Sequence, residues 1–265
     1  MTGAQGSLVT VCETLAAFAE TAAARFARAV AAAVTARGTA RVALAGGRTP
    51  EALYRLLAEM PYREAIDWSS VSLFWGDERC VPPDHPDSNY RMVREALLSH
   101  VAIPEANIHR MRGEIGDPVA AAREYQEVLR EACCVEVDTL PRLDLCLLGL
   151  GPDGHTASLF PGLPAIREKQ RWVVAARVEK LDAWRLTLTP AVINNARHVL
   201  FLVTGAEKAE TVRAVLEGPV DPDRLPAQIV RPVHGRLEWL LDRDAAGRLS
   251  ADGLYHQGTK TPRIH

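Results

Sequence analysis

The sequence predicts an α/β protein built on a mostly parallel sheet with helices on both faces. Three observations carry that expectation. Short apolar runs alternate with helical patterns along the chain, several of those runs stop at glycine or polar turns, and the chain is large and apolar enough to bury a substantial core. At 265 residues, with 48% apolar and 24% charged, it can form one large α/β domain or two closely packed lobes. We read residues 1–265 as one α/β domain with room for a smaller lobe.

The elements follow in order. The segment from Leu15 to Arg37 is rich in alanine, with Phe18, Phe26 and Val30 interspersed, a strong helix composition. Residues 41–44 form a short apolar run that stops at Gly46-Gly47. Thr49-Pro50-Glu51 and the helical pattern Leu53, Leu56, Leu57 come next, so the grammar is strand, glycine turn, helix. Thr49 is expected as the N-cap, with Pro50 at the first helical position, where its missing N–H costs nothing.

The same grammar recurs. Residues 71–75 run into the polar loop Gly76-Asp77-Glu78-Arg79, residues 143–148 into the loop 149–155, and residues 198–203 into Thr204-Gly205 before a helix over 207–216. Residues 81–89 form a long loop entering a helix at about Tyr90, and residues 161–170 form another. Residues 185–189 alternate as a strand, and residues 236–241 add a late one. The tail over 247–265 is polar and basic and reads as a partly mobile end. In parallel sheets, ligands bind outside the carboxyl ends of the strands. The polar loops fall at those ends, so they are read as one site.

Composition excludes several classes of function. The 31 basic and 33 acidic residues leave a formal charge of -2, so there is no basic field of the kind a nucleic-acid or anionic-membrane binder carries. An anionic ligand must therefore be held by a local cluster. No run of about 18 apolar residues occurs, and the first residues lack a basic stretch before an apolar one, so a cytoplasmic, monomeric protein is expected. The five cysteines fit neither a disulfide framework nor paired zinc spacing and read as reduced thiols. Cys146, inside an apolar run, reads as a core packer. Cys133 and Cys134 are expected at a buried helix end.

Two loops carry the candidate chemistry. Gly46-Gly47 at a strand-to-helix turn allows close approach of a ligand, and the following helix N-terminus offers N–H groups to an anion. The same glycines could serve only a tight turn, and Arg48 beside them could be phosphate-bound or solvated. In the second loop, Gly149, Gly151 and Gly154 imitate a dinucleotide fingerprint, but Pro152-Asp153 occupies its interior and an aspartate there would repel a pyrophosphate. The loop is either an ordinary Asp-Gly turn or a catalytic pair, Asp153 and His155, carboxylate and imidazole across a glycine. An imidazole can serve as base and then acid in opening a lactone. Of the eight histidines only His155 sits at a strand end in such a context. Serine-hydrolase and metal-hydroxide routes lack their signatures: there is no G-x-S-x-G elbow and no H-E-x-x-H or comparable ligand set.

Residues 144–162, D-L-C-L-L-G-L-G-P-D-G-H-T-A-S-L-F-P-G, resemble the hallmark segment of the 6-phosphogluconolactonases. Joining it are A-G-G-R-T-P at 45–50, D-E-R-C-V-P at 77–82 with Ser88-Asn89, R-L-T-L-T at 185–189, T-G-A-E-K-A at 204–209 and L-P-A at 225–227. Order and spacing agree over about residues 44–246. The resemblance implies hydrolysis of 6-phospho-D-glucono-1,5-lactone to 6-phosphogluconate, in the oxidative pentose phosphate pathway, with no metal or organic cofactor and a small phosphorylated sugar lactone as the partner. It also implies a Rossmann-like fold shared with glucosamine-6-phosphate deaminase and ribose-5-phosphate isomerase. Carried over by position, His155 would activate water and Asp153 would orient it. Arg79 and Lys208 would bind phosphate or ring oxygens, Gly46 and Gly47 would present amides, and Arg185 would match the arginine that opens the R-L-T-L-T strand. Position 48 is arginine where many relatives carry serine. The usual Lys-Pro-Pro reads Lys180-Leu181-Asp182, so Arg48 and Lys180 are substrate contacts of a less regular kind.

Two rivals remain. The deaminase shares the Gly-Gly turn, an Asp-Glu pair and a G-x-G-x-D-G-H loop, but its loop continues toward F-N-E-P-G with an assisting glutamate. Here residues 156–162 contain no acid. A non-catalytic sugar-phosphate sensor would keep the anion contacts and tolerate loss of His155.

Overall fold

The computed structural model describes residues 7–136 and 139–250. The chain opens with β1 (Leu8–Cys12), α1 (Leu15–Arg37), β2 (Ala40–Leu44), α2 (Arg48–Leu57) and a single turn, α3 (Tyr62–Ala65). Next come β3 (Val71–Trp75), β4 (Asp77–Arg79), α4 (Asn89–Ala96), β5 (Ile108–His109) and α5 (Pro118–Ala132). The chain continues through β6 (Leu145–Leu148), β7 (Val173–Val178), β8 (Ala183–Leu188), α6 (Pro190–Asn195), β9 (His198–Val203), α7 (Ala209–Glu217) and β10 (Arg236–Asp242).

Seven strands form the main sheet in the order β1-β10-β9-β6-β2-β3-β5, with every neighbouring pair parallel. Its central strands β6 and β9 are buried along their whole length, which is why they read as unbroken apolar runs. From β2 the chain moves to β3 on one side, whereas β6 lies on the other. The loops after β2 and β6 therefore diverge, and a crevice opens at their carboxyl ends, the switch point where ligands bind in such sheets. A smaller antiparallel sheet, β4-β8-β7, stands beside it.

Helix α1 forms where the alanine-rich segment predicts it. The Thr14 side chain accepts from the Ala17 N–H at 3.1 Å, and Gly38, at φ 74°, ends the helix by donating its N–H to Val34 O at 2.7 Å. Phe18, Ala22, Phe26 and Val30 recur at a four-residue spacing, and all are buried. Truncating the fully buried Phe26 to alanine would cost about 3–5 kcal/mol.

Three expectations are corrected. Thr49 is not the cap of α2: Gly47, at φ 100°, turns the chain into the helix at Arg48, and the Thr49 hydroxyl instead meets Thr204 Oγ1 at 2.6 Å. Residues 77–79, expected as a polar loop, form β4. Their side chains carry no strand pattern because the pairing is made by main chain, with Arg79 opposite Arg185 of β8. Residues 207–216 begin as a turn of 3₁₀ helix, Ala206–Lys208, and become α-helical only at Ala209. Strands β1, β5 and β7 and helices α3, α5 and α6 have no counterpart in the expectations.

All five cysteines are free, and burial pushes the Cys146 thiol up to about 12, as a core packer should behave. Cys133 is a buried helix end, but Cys134 is exposed. Among the described residues no helix is long and apolar enough to cross a membrane. Most of the tail expected to be mobile, including His256 and His265, lies outside the described residues.

Candidate active site

The loop after β6 is shaped by its glycines. The Gly151 N–H donates to His155 O at 2.8 Å and the Gly154 N–H to Gly151 O at 3.0 Å, closing a tight turn in which Gly154 takes φ 78°. A Cβ on Gly151 would lie 2.0 Å from His155 Nδ1, so only glycine lets the imidazole fold back over its own loop. There Nδ1 meets Asp153 Oδ1 in a very short contact. Burial works against the charge on Asp153, but hydrogen bonds from His155 and Lys180 outweigh it and hold the carboxyl well below the usual range. An ionised carboxylate only accepts, which assigns a proton to Nδ1 and leaves Nε2 with no protein partner among the described residues.

His155 faces a cleft of about 230 Å³ whose walls also carry Gly46, Gly47, Asp77, Arg79, Asn89 and Lys208. An adjoining cavity of about 540 Å³ shares Gly46, Gly47 and Lys208 and adds Arg48. Helix α2 points its N-terminus at this junction, where its first-turn amides have no intrahelical acceptor. Arg48 and Lys208 have no hydrogen-bond or ion-pair partner among the described residues. Burial holds the Lys208 ammonium below the ordinary lysine range against the opposing pull of Glu207 and Asp153, with a smaller addition from the charge of Arg48. Arg79 donates Nη1 to Asp87 O at 2.5 Å and meets no carboxylate. None of the three forms a salt bridge among the described residues, although Asp77 shares the cleft and Glu207, Asp242 and Asp244 line the adjoining cavity, so an incoming anion can engage all three directly.

Two predicted residues stand off the cleft walls. Arg185 lies opposite Arg79 on the small sheet, its pKa lowered by burial and then by the Arg79 charge. Lys180, at the β7–β8 turn, reaches Asp153 Oδ2 instead of the cleft.

Beneath the cleft sits a support that residue types alone did not reveal. Glu78 is 2% exposed and accepts from the backbone N–H groups of Arg79, Asn89 and Tyr90 at 2.8, 2.8 and 2.7 Å. Burial pushes its carboxyl up while those amides pull the other way. Glu78 thereby ties β4, which carries Arg79, to the start of α4. Asn89 donates Nδ2 to Asp77 O at 2.9 Å, and its Oδ1 lies 2.0 Å from where a Cβ on Gly46 would stand, too close for any side chain there. Ser158 Oγ donates to Asp77 Oδ2 at 2.7 Å. The sequence signals for this wall are the D-E-R-C-V-P and Ser88-Asn89 motifs, which mark the residues without showing that Glu78 is the buried tie between them.

The other described histidines have different settings, His85 accepting the Asp87 N–H at 3.1 Å in the loop before α4. His198 is buried near the opposite end of the sheet, His109 stacks on Phe74 at 4.7 Å, and His100 and His234 are exposed. Among the described residues no group of three or more His, Cys, Asp or Glu side chains is placed to hold a metal ion.

A parallel sheet whose switch point carries an Asp-oriented imidazole beside converging, unpaired cations defines an α/β enzyme for a small anionic substrate. The family model described as glucosamine-6-phosphate isomerases/6-phosphogluconolactonase matches residues 13–239, and the chain belongs to that family. The chain is 45% identical over 217 residues to a 6-phosphogluconolactonase of Synechocystis sp., covering 82% of this chain and 88% of that one. Among solved structures it is similar to 6-phosphogluconolactonase from Trypanosoma cruzi, at 31% identity and TM-score 0.82, covering 94% and 98% of the two chains. A monomeric glucosamine-6-phosphate deaminase shares the fold, at 24% identity and TM-score 0.77, covering 91% of this chain and all (100%) of that one.

Proposed function

We propose that this chain hydrolyses 6-phospho-D-glucono-1,5-lactone to 6-phospho-D-gluconate, the lactone-opening step of the oxidative pentose phosphate pathway, without a metal or organic cofactor. The observation that carries the reading is the Asp153–His155 pair facing a cleft rimmed by unpaired cations. With Nδ1–H held by Asp153, Nε2 takes a proton from water as the oxygen attacks the C1 carbonyl. A tetrahedral oxyanion forms, stabilised by the positive field of Lys208 and Arg79. Its collapse breaks the bond from C1 to the ring oxygen, which takes the proton back from the imidazolium. The phosphate sits against the Gly46-Gly47 turn, the first amides of α2 and Arg48, and Arg185 strengthens the field behind Arg79. Atoms balance: one water enters, and one C–O bond breaks.

The reading carries with it a cytoplasmic monomer that handles a small molecule, with no nucleic-acid or membrane partner. A coupled assay on freshly generated lactone, with spontaneous hydrolysis subtracted, tests the activity. Turnover well above the spontaneous rate supports it. A rate no faster than buffer, with saturable phosphosugar binding, would leave the non-catalytic sensor instead. Residues 156–162 contain no carboxylate to assist deamination, so no ammonia release from glucosamine 6-phosphate is expected.

A further inference from the structure

Phe160 is buried, at 6% exposure, yet it lies outside the continuous apolar core that its neighbour Leu159 joins. Its ring meets two charged or titratable groups. The ring stacks on the His155 imidazole, with centroids 4.1 Å apart and planes 26° from parallel, and Lys180 Nζ lies 4.9 Å from the ring centroid. Lys180 also engages Asp153 Oδ2, while Asp153 Oδ1 engages His155 Nδ1. Four side chains thus close a circuit: Asp153, His155, Phe160, Lys180.

Each link removes a freedom that the Asp153–His155 bond leaves open. A single hydrogen bond at Nδ1 fixes one direction of the imidazole but lets the ring turn about that bond. A second ring against its face stops the turn. A carboxylate gripped at one oxygen can swing, and a cation at the other oxygen stops the swing. Lys180 can reach both partners because the β7–β8 turn, with Asp182 at φ 47°, carries it over the loop. The small sheet that presents Arg79 to the cleft also braces the imidazole from outside it.

We propose that Phe160 and Lys180 are positioning residues that hold His155 Nε2 toward the cleft, Phe160 by stacking on the imidazole and Lys180 by locking Asp153. The proposal rests on His155 as the base, and it gives Lys180 a role different from the substrate contact expected from sequence.

The test is steady-state kinetics of Lys180→Met and Phe160→Leu, joined to ¹⁵N resonance of the imidazole nitrogens in the substrate-free protein. In each variant kcat is expected to fall about tenfold or more with KM within about twofold, because the residue acts through another group and not on substrate. Phe160→Tyr, which restores the ring face, should recover most of the loss. The wild-type ¹⁵N signal should report one tautomer, protonated at Nδ1, and both variants a tautomer average. Lys180 is exposed, so Lys180→Met keeps the test open if Phe160→Leu unfolds. A Lys180→Met enzyme with raised KM and unchanged kcat would make Lys180 a substrate ligand and overturn the proposal. Wild-type kcat and an unchanged tautomer signal in both variants would also overturn it. If the wild-type protein fails to open the lactone, the functional reading falls, while the resonance experiment still decides whether the circuit holds the ring.

Discussion

The two ends of the main sheet use the same residue types in opposite ways. Near the amino ends of its strands, Arg25 Nη1 lies 3.0 Å from Glu238 Oε2, Arg236 Nε lies 3.4 Å from Glu238 Oε1, and Thr10 accepts from Arg25 Nη2 at 2.7 Å. A second group there pairs Asp144 with Arg37 at 2.7 Å and Arg197 at 3.3 Å, and Asp144 also accepts the Arg41 N–H at 2.9 Å. At the carboxyl ends, Arg48, Arg79 and Lys208 gather without a salt bridge among the described residues, and Glu207 and Asp153 act on Lys208 only at longer range. Charge that is paired within the fold serves stability, and charge left unpaired waits for a ligand. Asp144 opens the hallmark segment whose other acid is Asp153, so the two roles lie nine residues apart on one stretch of chain.

If that division is sound, substitutions at the two ends should separate cleanly between turnover and stability. The largest effect is expected at the carboxyl end: His155→Ala should lower kcat by about 10²–10⁴-fold, while binding of 6-phosphogluconate and the urea midpoint stay near wild type. Near-normal turnover would remove His155 as the base. Glu238→Gln should do the converse, costing about 3–5 kcal/mol of folding free energy because Arg25 is left buried beside a neutral amide. Its kcat per folded molecule should be unchanged. Loss of activity without loss of stability in that variant would break the comparison.

The same cluster fixes an expected pH dependence. Burial opposes charge on Glu238, but His198, Arg25 and Arg236 outweigh it and hold the carboxyl down to about 2. In the unfolded chain a glutamate titrates near about 4.3. Between those values the unfolded state binds more protons, so the stabilisation is complete above about pH 4.3 and is lost as pH falls toward about 2. His198 adds the same sign at higher pH. Burial lowers its pKa below the ordinary histidine value, so its contribution is lost as pH falls from about 6.5. Its Nδ1 lies 3.1 Å from Arg236 Nη2, which suits a neutral ring near pH 7, and its Nε2 sits 3.3 Å from Glu238 Oε2, where the ring pairs with that carboxylate once protonated in acid. Urea titrations from pH 7 to 3 should show a shallower acid limb in Glu238→Gln than in the wild type. Parallel limbs would place the acid sensitivity elsewhere.

How much of this was legible follows from what each feature depends on. The strand-turn-helix unit from β2 to α2, strand β6 and the loop that carries Asp153 and His155 depend on local pattern and are legible directly. Strand β4 was missed because Asp77-Glu78-Arg79 pairs through main chain with β8, more than a hundred residues away in sequence, and nothing in three charged residues announces it. The family resemblance implies Lys180 as a substrate contact through its Lys-Pro-Pro position, whereas its reach to Asp153 depends on how the small sheet leans over the loop. Phe160 was quoted within a motif and given no role, because a phenylalanine in sequence does not show whether it joins the core or a site. The Thr49 cap failed on one backbone angle, the φ of 100° at Gly47, which moves the helix start ahead of it.

The smallest effect is the sharpest test of the comparison, because it asks whether unpaired charge costs the fold anything. Burial, helped by the Arg48 charge, outweighs the pull of Glu207 and Asp153 and holds the Lys208 ammonium below its ordinary pKa, so Lys208 is less stable as a cation in the fold than in water. Lys208→Met keeps most of the side-chain bulk and removes the charge. Stability should then stay level or rise by up to about 0.5 kcal/mol, the range of substitutions that break no native partnership. Substrate recognition should move the other way. Losing a charge-assisted contact worth about 1.5–3 kcal/mol should lower kcat/KM by about ten- to a hundredfold. Arg48→Met should follow the same direction with a smaller loss, because Arg48 is exposed at the cleft mouth, whereas Lys208 is half-buried in its wall. Both variants would be measured by urea melting and by initial rates on fresh lactone. A Lys208→Met protein that is clearly destabilised would mean that Lys208 has a structural partner after all, and the carboxyl end would then resemble the amino end more than the unpaired cations imply.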